Sequence, residues 1–576
     1  MAGRLPGLGS GVIMAPHRDL NFRSGPLPDF WNDTFTSLPQ HLQRRLLMGS
    51  SGLLHIIEMA EQAINLVSET QDPGLRQKLL ALGSDLLLAG FEADPLNASF
   101  ARQIEMVEKA YKFLPSELKP LISWLLKEYK TPEDQRYLLR LLERREADKI
   151  ENYLAGQMSK EPGNAFWLHH AFSFGIAEHR LDWLEEQVCG FADLPEQLRH
   201  YFLASIAYAK NDWARAAELF EQALQALPLA VWQEQYAQSL KNSGETQKAM
   251  KQIQAVVKAH PWQTNSILRL YDLQTGIADR LTAPKGKGAI LFYTWNKDVH
   301  MDDALRAVFE DERFGAKVFV IDNGSTDDTP RILSAWKERM GDEMELLTFP
   351  VNVGAPAARN WLAALPAVRD ADWLAYMDDD AVVPEGWLSR FGTAMQVYPN
   401  NGVYGCKIID MHTSMTIQSA DFHLMPGEGK MDEGGVVDRK FRVSALQLQG
   451  FDFGQFSYLR PCASVTGCCH LFRREFLNRV GGFDLRYSPS QYDDLEHDLR
   501  HAMQGELPVY QGHLTVRHAK RTGKDAQMNP SQMSNALGNL MKLQMRYSED
   551  EFNAIMKNDA ETALADIKNK IADLGQ

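Results

Sequence analysis

The 576-residue chain is too long for one hydrophobic core, and its length predicts about three or four domains. Its 44% hydrophobic and 24% charged residues are ordinary for a soluble globular protein. The formal net charge of −14 argues against a nucleic acid as the main partner, because phosphate binding depends on clustered lysine and arginine side chains.

The cysteines and the hydropathy pattern bear on the compartment. Five cysteines, mostly flanked by apolar residues, are unsuited to a disulfide framework. The adjacent Cys468 and Cys469 lack the spacing of a zinc site and are expected to pack as small apolar side chains. The stretch MAGRLPGLGSGVIMAPHRDL has no apolar core of signal-peptide length, and nowhere do about 18 uncharged apolar residues run together. We therefore expect a cytoplasmic protein with no transmembrane segment.

The first half of the chain is predicted to be helical. Residues 1–38 are rich in Gly, Pro and Asn without a clear period, and we expect a flexible arm there. From residue 39, apolar side chains recur at helical spacing until about residue 280, with breaks at Gly and Pro. We predict one helical domain over residues 39–160 and a second over residues 161–281.

Two stretches of the second helical domain repeat each other. YFLASIAYAKNDWARAAELFEQALQALP ends at Pro228 and EQYAQSLKNSGETQKAMKQIQAVVKAHP ends at Pro261, 33 positions later. The small-residue positions and the closing prolines resemble the tetratricopeptide repeat family. Stacked helix pairs of that kind leave a concave groove suited to protein segments. Alternatively, these helices only brace the domain that follows.

The hydrophobic period becomes strand-like after TAPKGKG (282–288). Four apolar segments, AILFYTW, KVFVID, MELLTFP and DWLAYMD, alternate with helical segments, which predicts a doubly wound, mostly parallel sheet. Ligands of such sheets bind beyond the carboxyl ends of the strands. VFVIDNGSTDDTP and LAYMDDDAVVP each run a strand into acidic residues. Asp322 and Asp378 to Asp380 are therefore expected at one edge of the sheet.

Five motifs follow one another in this half: FVIDNGSTDDT, NVGAPAARN, DDD, TGCCHLFRREFLNRVGGFD and DDLEHDL. In this order they resemble a GT-A fold glycosyltransferase of family 2, over residues 288–525. The resemblance implies a Rossmann-like α/β domain that moves a sugar, with inversion, from a nucleoside-diphosphate sugar (UDP- or another base) to an acceptor hydroxyl. It also implies Mn²⁺ or Mg²⁺ as cofactor. A helical C-terminal extension is predicted over residues 526–576.

The resemblance and the residue types together indicate the donor site. Thr294, Asp322, Asn323 and Arg359 are expected to bind the donor. The Asp322 carboxylate can accept hydrogen bonds from a base N–H or a ribose hydroxyl, and Asn323 begins a tight turn that lets backbone approach the ligand. The alternatives are that Asp322 only forms the turn and that Arg359 only forms a structural salt bridge.

Three adjacent aspartates repel one another unless water or a cation compensates them. Asp378 and Asp380 have Asp-x-Asp spacing, and alternate residues of an extended chain face the same way. Mg²⁺ and Mn²⁺ prefer carboxylate and phosphate oxygens. By resemblance Asp380 is the direct metal ligand, while Asp378 contacts ribose or metal-bound water. Asp379 is counted with the donor site and is expected to point elsewhere and support the turn.

A histidine near the end of the predicted domain could complete the metal site. By resemblance His518 suits that place better than His513, although it could simply pack at the surface. Arg517, Lys520 and Arg521 beside it could neutralise phosphate or form a solvated basic face.

A carboxylate is also needed to take the proton of the acceptor hydroxyl. SQYDDLEHDL offers Asp493, Asp494 and Glu496. By resemblance Asp494 aligns with the general base. Asp493 stands where the family carries Glu, which leaves the choice between Asp493 and Asp494 open.

Other functional classes fit parts of the sequence. YMDDDAV is similar to the strand end of aspartyl-phosphate phosphatases, but theirs is the first strand and three strand candidates precede it here. A non-catalytic helical-repeat adaptor with a decayed transferase domain is the second alternative. The Gln-x-x-Arg-Trp motif of processive synthases is missing, which favours transfer of one or a few sugars. The acceptor could be a protein docked by the repeats, a lipid-linked saccharide or a polysaccharide.

Overall fold

A computed structural model of the chain describes residues 27–427, 439–519 and 530–575. It has a helical first half, an α/β domain from residue 288 onward and a helical tail, so the predicted fold class is confirmed. No helix in the described ranges combines the length and the apolar character that crossing a membrane requires.

The first half consists of sixteen α-helices within the described range, with a π-helical turn at Phe30–Thr34 between the first two. In chain order they are α1 Leu27–Asp29, α2 Phe35–Ser37, α3 Gln40–Met48, α4 Leu53–Glu69, α5 Pro73–Ala93, α6 Ala98–Tyr111, α7 Lys119–Glu128, α8 Arg136–Arg144, α9 Ala147–Lys160, α10 Ala165–Ala177, α11 Leu181–Gly190, α12 Glu196–Ala209, α13 Trp213–Ala226, α14 Ala230–Asn242, α15 Thr246–Ala259 and α16 Thr264–Gln274.

The expected flexible arm does not reach residue 38. Residues 27–37 are helical and bury Trp31 and Phe35, and the Trp31 indole N–H donates to the Pro261 carbonyl at 2.9 Å. Burying large aromatic side chains offsets the entropy of ordering this segment. The rest of the predicted arm, residues 1–26, lies outside the described residues.

The two copies, which are 33 positions apart, fold into two helix pairs, α12 with α13 and α14 with α15. Their equivalent positions are buried: Ala216 with Ala249, and Phe220 with Ile253. The shared pattern therefore marks the faces along which the helices pack. Membership of the tetratricopeptide family and the domain boundaries within the helical half stay predictions.

The α/β domain is built on a mixed sheet. Its strands, with those of a separate two-stranded ribbon (β8 and β9), are β1 Gly288–Thr294, β2 Lys317–Asp322, β3 Met344–Thr348, β4 Trp373–Met377, β5 Ala381–Val382, β6 Val403–Asp410, β7 Ile417–Ser419, β8 Leu424–Pro426, β9 Phe441–Val443, β10 Leu459–Pro461, β11 Cys469–Arg473 and β12 Val509–His518. The helices between them are α17 Met301–Phe309, α18 Thr329–Met340, α19 Ala355–Ala364, α20 Pro366–Arg369, α21 Trp387–Val397, α22 Arg474–Val480 and α23 Asp493–Met503.

The strand order is β10-β12-β6-β11-β4-β1-β2-β3, with β5 paired to β12 and β7 paired to β6. The four strands expected from the sequence, β1 to β4, are all parallel, whereas β11 enters antiparallel between β4 and β6. In this register Thr294, Asp322 and Thr348 lie side by side. The carboxyl ends of the parallel strands thus form one edge of the sheet.

Both helical parts of the chain are packed against this domain. Met48 of α3 and Leu268 of α16 share a core with Leu291 and Tyr376 of the sheet. The tail helices are α24 Pro530–Arg546 and α25 Glu549–Leu574, and the Lys570 ammonium of α25 donates to the Leu459 carbonyl at 2.6 Å. Both helical parts therefore support the α/β domain.

Candidate active site

A cleft of about 1480 Å³ opens beyond the carboxyl ends of β1 and β4. Eight of the residues expected from the sequence line it: Asn323, Arg359, Asp378, Asp379, Asp380, Asp493, Asp494 and His518. The other wall comes from β7, the turn Leu446–Gln449, and the start of α24. The strand ends and the start of α23 thus bring distant parts of the sequence to one place.

Two expected donor residues do not line the cleft. Thr294 is fully buried, and Asp322 is 1% exposed. Asp322 Oδ1 accepts a hydrogen bond from the Ser325 N–H at 2.9 Å, so this carboxylate closes the turn after β2. Gly324 has φ +77° and a Cβ there would lie 2.8 Å from the Val351 backbone, which explains the glycine. Contact of Asp322 with a donor stays a prediction.

The three aspartates after β4 face different partners. Asp378 Oδ2 and Asp380 Oδ1 lie 4.0 and 3.0 Å from His518 Nε2. Asp379 Oδ2 instead accepts from the Trp295 N–H at 3.3 Å. Asp379 also lines the cleft, and its Oδ1 lies 3.9 Å from the Lys297 ammonium that pairs with Asp380, so the expected orientation of Asp379 away from the site stays a prediction.

Burial sets the protonation of this group. It raises the pKa of Asp379 to about 7 and also raises the pKa of Asp378. Burial alone would also raise the pKa of Asp380. Hydrogen bonds with His518 and Lys297, and the charges of these two residues, outweigh burial and hold the pKa of Asp380 well below its usual range. The Lys297 ammonium forms an ion pair with the Asp380 carboxylate. Asp380 is thus the carboxylate of the three whose pKa is lowered.

The donor atoms suit a hard divalent cation. His518 Nδ1 lies 2.8 Å from Gln418 Oε1, which can only accept, so Nδ1 carries a proton and Nε2 is the ring nitrogen that faces Asp380. The 3.0 Å between Nε2 and Asp380 Oδ1 is a hydrogen-bond distance, and a bound cation would take the place of the proton between them. Carboxylate oxygens with one imidazole nitrogen are ligands that Mn²⁺ and Mg²⁺ accept.

Cys468 packs in the hydrophobic core of the sheet, as expected, and it also approaches this group. Its Sγ and ligand atoms of Asp378 and His518 lie within 4.8 Å of one another. Burial raises the pKa of the Cys468 thiol well above its ordinary value, which keeps it protonated and a poor ligand for a hard cation. Cys469 is buried in the same core.

Arg359 connects the metal-binding candidates to the base candidates. This guanidinium is almost fully buried, near the start of α19. Its Nη1 lies 2.6 Å from Asp493 Oδ2, and its Nη2 lies 3.5 Å from Asp378 Oδ1 and donates to the Tyr293 hydroxyl at 2.9 Å. The salt-bridge alternative therefore describes Arg359 in this structure, and direct contact with the donor stays a prediction.

The two base candidates have different environments. Asp493 is 3% exposed and paired with Arg359, and burial raises its pKa to about 6 against the opposing charge of Arg359. Asp494 is partly exposed, and its Oδ2 accepts from the Gly467 N–H at 2.8 Å. A Cβ at Gly467 would lie 3.0 Å from the Asp494 Cβ, so glycine permits this approach. Glu496 is fully buried and paired with Arg500, away from the cleft.

Sequence reasoning missed three polar residues of this site. Tyr293 reads as an ordinary strand residue, yet its hydroxyl donates to Asp378 Oδ1 at 2.8 Å. Gln418 belongs to no motif. Lys297 could have been identified from the sequence, because it is a lysine just beyond β1, a strand that ends at the edge of the sheet where ligands bind. His513 pairs with Asp272 instead of lining the cleft, and Lys520 and Arg521 lie outside the described residues.

Comparison with known proteins gives one family match and several partial relatives. Residues 290–481 match the model of Glycosyl transferase family 2. The O-antigen biosynthesis protein RfbC of Myxococcus xanthus is 25% identical over 220 residues, which are 37% of this chain and 16% of that protein. The N-acetylglucosaminyl-diphospho-decaprenol L-rhamnosyltransferase of Mycobacterium tuberculosis is 27% identical over 247 residues, 41% of this chain and 78% of that protein. The chain thus spans less than a fifth of the length of RfbC.

Similar solved structures include GalNAc-T7 with UDP, GalNAc and Mn²⁺, at 13% identity and a TM-score of 0.36, covering 46% of this chain and 50% of that one. The mannosyltransferase PcManGT of Pyrobaculum calidifontis, with GDP-Man and Mn²⁺, has 17% identity and a TM-score of 0.29, covering 53% and 86%. The family match rests on the sequence of the sheet domain. Residues 290–481 of this longer chain therefore resemble a glycosyl transferase family 2 domain in sequence.

Proposed function

We propose that the chain is a metal-dependent, inverting glycosyltransferase that moves a sugar from a nucleoside-diphosphate sugar to an acceptor hydroxyl. The observation that carries this proposal is the convergence of Asp378, Asp380 and His518 with Asp494 in one cleft of a family 2 domain. The two curated relatives, named as an O-antigen biosynthesis protein and a rhamnosyltransferase, support sugar transfer.

Asp380 and His518, with Asp378 close by, would hold Mn²⁺ or Mg²⁺. When bound there, the cation would supply Lewis-acid stabilisation of the charge that develops on the departing diphosphate. Gln418 fixes the His518 ring by accepting from its Nδ1–H, and such support normally sharpens metal binding. Lys297 already neutralises part of this charge and would be free to turn to the donor phosphates once a cation takes its place beside Asp380.

Asp494 is the better candidate for the general base. Its carboxylate reaches the cleft and is held by the Gly467 and Leu495 N–H groups, at 2.8 Å each. The acceptor oxygen attacks the anomeric carbon, its proton passes to Asp494, and the bond to the diphosphate oxygen breaks with its electron pair on the leaving group. Attack opposite the leaving group inverts the anomeric centre. Asp493 and Arg359 would keep the site's charge balanced around this step.

The alternative functions are less consistent with this arrangement. Asp378 follows the fourth strand of the domain, whereas the phosphatase motif belongs on a first strand. A decayed adaptor would have no reason to keep Asp380, His518 and Asp494 in one cleft. A protein acceptor docked by the helix pairs stays a prediction.

The test is release of nucleoside diphosphate from a panel of nucleotide sugars by the purified full chain with Mn²⁺. We expect turnover that EDTA and Asp380→Ala abolish. Asp494→Asn should lower acceptor-dependent transfer by about 10²- to 10⁴-fold. Phosphatase activity on simple phosphoesters without turnover of any nucleotide sugar would overturn the proposal.

A further inference from the structure

The wall of the cleft contributed by β7 and the turn Leu446–Gln449 contains unpaired buried polar groups. Gln447 is 2% exposed and lines the cleft, yet neither its Oε1 nor its Nε2 has a hydrogen-bond partner within the described parts of the chain. The hydroxyl of Ser419, at 5% exposure on the same wall, is in the same condition. An unpaired buried polar group costs roughly 1–3 kcal/mol, so a native protein keeps one for a reason.

This wall lies beside the base candidate. β7 and the turn Leu446–Gln449 pack against each other. Three residues beyond Ser419, Phe422 pairs with Ser464, and its N–H donates to the Ser464 carbonyl at 3.1 Å. The loop that follows Ser464 leads to Gly467, whose N–H holds Asp494. A ligand bonded to Gln447 and Ser419 would thus lie in the same cleft as Asp494.

The chemistry of the wall favours an uncharged, hydroxyl-rich ligand. Between β7 and α24 it presents amides and hydroxyls, among them Gln447, Ser419 and Asn535, and the ring of Phe422. Side-chain amides donate and accept at once, as neighbouring hydroxyls of a sugar ring require. Among the cleft-lining residues in the described ranges, those of β7, the turn Leu446–Gln449 and α24 carry no formal charge. These segments therefore lack the cationic side chains that a phosphate group selects.

We propose that Gln447 and Ser419 form an acceptor subsite for a saccharide, in which they hydrogen-bond hydroxyls of the saccharide whose reacting hydroxyl Asp494 deprotonates in the same cleft. This subsite rests on the proposed glycosyl transfer and names its acceptor as a sugar and not as a serine or threonine of a protein. Both groups are desolvated in advance, so a rotation of these side chains toward a sugar hydroxyl in the cleft would restore bonds that the folded protein lacks.

The helical half would preorganise this subsite. Gln449 Oε1 accepts from the His55 N–H of α4 at 3.0 Å. A Cβ at Gly52 would lie 3.0 Å from the Leu446 carbonyl oxygen, so the two segments are in close contact. Asn265 of α16 also donates to the Gln455 carbonyl at 2.9 Å. The turn that carries Gln447 is therefore held in place by α4, and a fixed binding group loses less entropy when its ligand arrives.

The experiment measures binding of methyl glycosides of glucose, N-acetylglucosamine, galactose, mannose and rhamnose to the full chain by saturation-transfer NMR, with UDP or GDP and Mn²⁺ present. We expect at least one glycoside to bind, and Gln447→Leu or Ser419→Ala to weaken it at least about tenfold. The exposed Gln254→Leu on α15 is the matched control and should bind as the wild type does. Serine- and threonine-containing peptides should show no saturation transfer.

Thermal unfolding separates a binding role from a structural one. Replacing an unpaired buried amide by an apolar group of similar shape is neutral or stabilising, so Gln447→Leu should melt at or above the wild-type temperature. Glycoside binding that is unchanged in both variants, absent altogether, or replaced by peptide binding would overturn the subsite. Nucleotide binding by the wild-type chain is recorded separately, so that failure of the donor site is distinguished from failure of the acceptor subsite.

Discussion

Arg359 Nη1 lies 2.6 Å from Asp493 Oδ2, and the same guanidinium reaches Asp378 Oδ1 at 3.5 Å. One buried cation therefore joins the carboxylate after β4 to the carboxylate that starts α23. Like charges in a low-dielectric site repel strongly, and a guanidinium between them reduces that cost. The donor end and the base end of the cleft are consequently coupled through Arg359.

Arg359→Met should destabilise the fold by about 3–5 kcal/mol, because it leaves the buried Asp493 carboxylate and the partly exposed Asp378 carboxylate without their partner. Chemical denaturation measures the change in the free energy of unfolding. Arg331→Met, which breaks the exposed pair with Asp328, is the control and should have no measurable effect. Equal stability of Arg359→Met and wild type would show that Arg359 does not balance this charge.

Transfer activity should fall as the pH drops below about 6, since burial raises the pKa of Asp493 to about 6. Below that pH Asp493 takes up a proton and its ion pair with Arg359 is lost; above it the ionised, paired form prevails. The pH dependence of kcat/KM measures this acid limb. Asp493→Asn removes the titrating group, so its limb should move to lower pH. An identical profile in wild type and variant would assign the limb to another group.

Lys297→Met should bind Mn²⁺ roughly tenfold more tightly than wild type in the absence of nucleotide, because the ammonium competes with a cation for the Asp380 carboxylate. Titration of free Mn²⁺ by electron paramagnetic resonance gives the affinity directly. Lys337→Met is the control. Lys337 lies on α18, and its ammonium donates to the Gly341 and Met344 carbonyls that follow this helix. Weaker Mn²⁺ binding in Lys297→Met would contradict the competition and make Lys297 a supporting residue of the metal site.

The helical half and the α/β domain should unfold together. Asp272 of α16 is fully buried, and its Oδ2 accepts from the Leu459 N–H at 2.7 Å and lies 2.8 Å from His513 Nε2. Asp272→Ala leaves the Leu459 N–H and the His513 ring without their partner and should lower the free energy of unfolding by about 3 kcal/mol. Calorimetry should show one transition, at lower temperature than in wild type, while the exposed Asp279→Ala changes little. Two separate transitions would show that the halves fold independently.

The sequence was informative wherever the cause was local. The hydrophobic period and the Gly- and Pro-rich breaks located β1 to β4, because a buried strand needs a short apolar run. Asp322 and Asp378 to Asp380 were expected at one edge of the sheet because parallel strands end at the same edge. The spacing of Asp378 and Asp380 predicted their common orientation for the same geometric reason.

Long-range packing decided what the sequence could not show. Gln418 and Gln447 sit in ordinary stretches and gain their roles only because β7 and the neighbouring turn fold over the cleft. Trp31 lies in a Gly- and Pro-rich segment without periodicity, yet its indole N–H donates to the Pro261 carbonyl in the loop before α16. The burial of Asp322 likewise depends on the Ser325 turn, which its residue type permits but does not require.

Isothermal titration of the full chain with UDP and GDP, with and without Mn²⁺, tests the central claim most directly. The account predicts that wild-type protein binds a nucleoside diphosphate only when the divalent cation is present, and that Asp380→Asn weakens this binding at least about a hundredfold. Equal binding in EDTA, or binding that Asp380→Asn leaves unchanged, would contradict it.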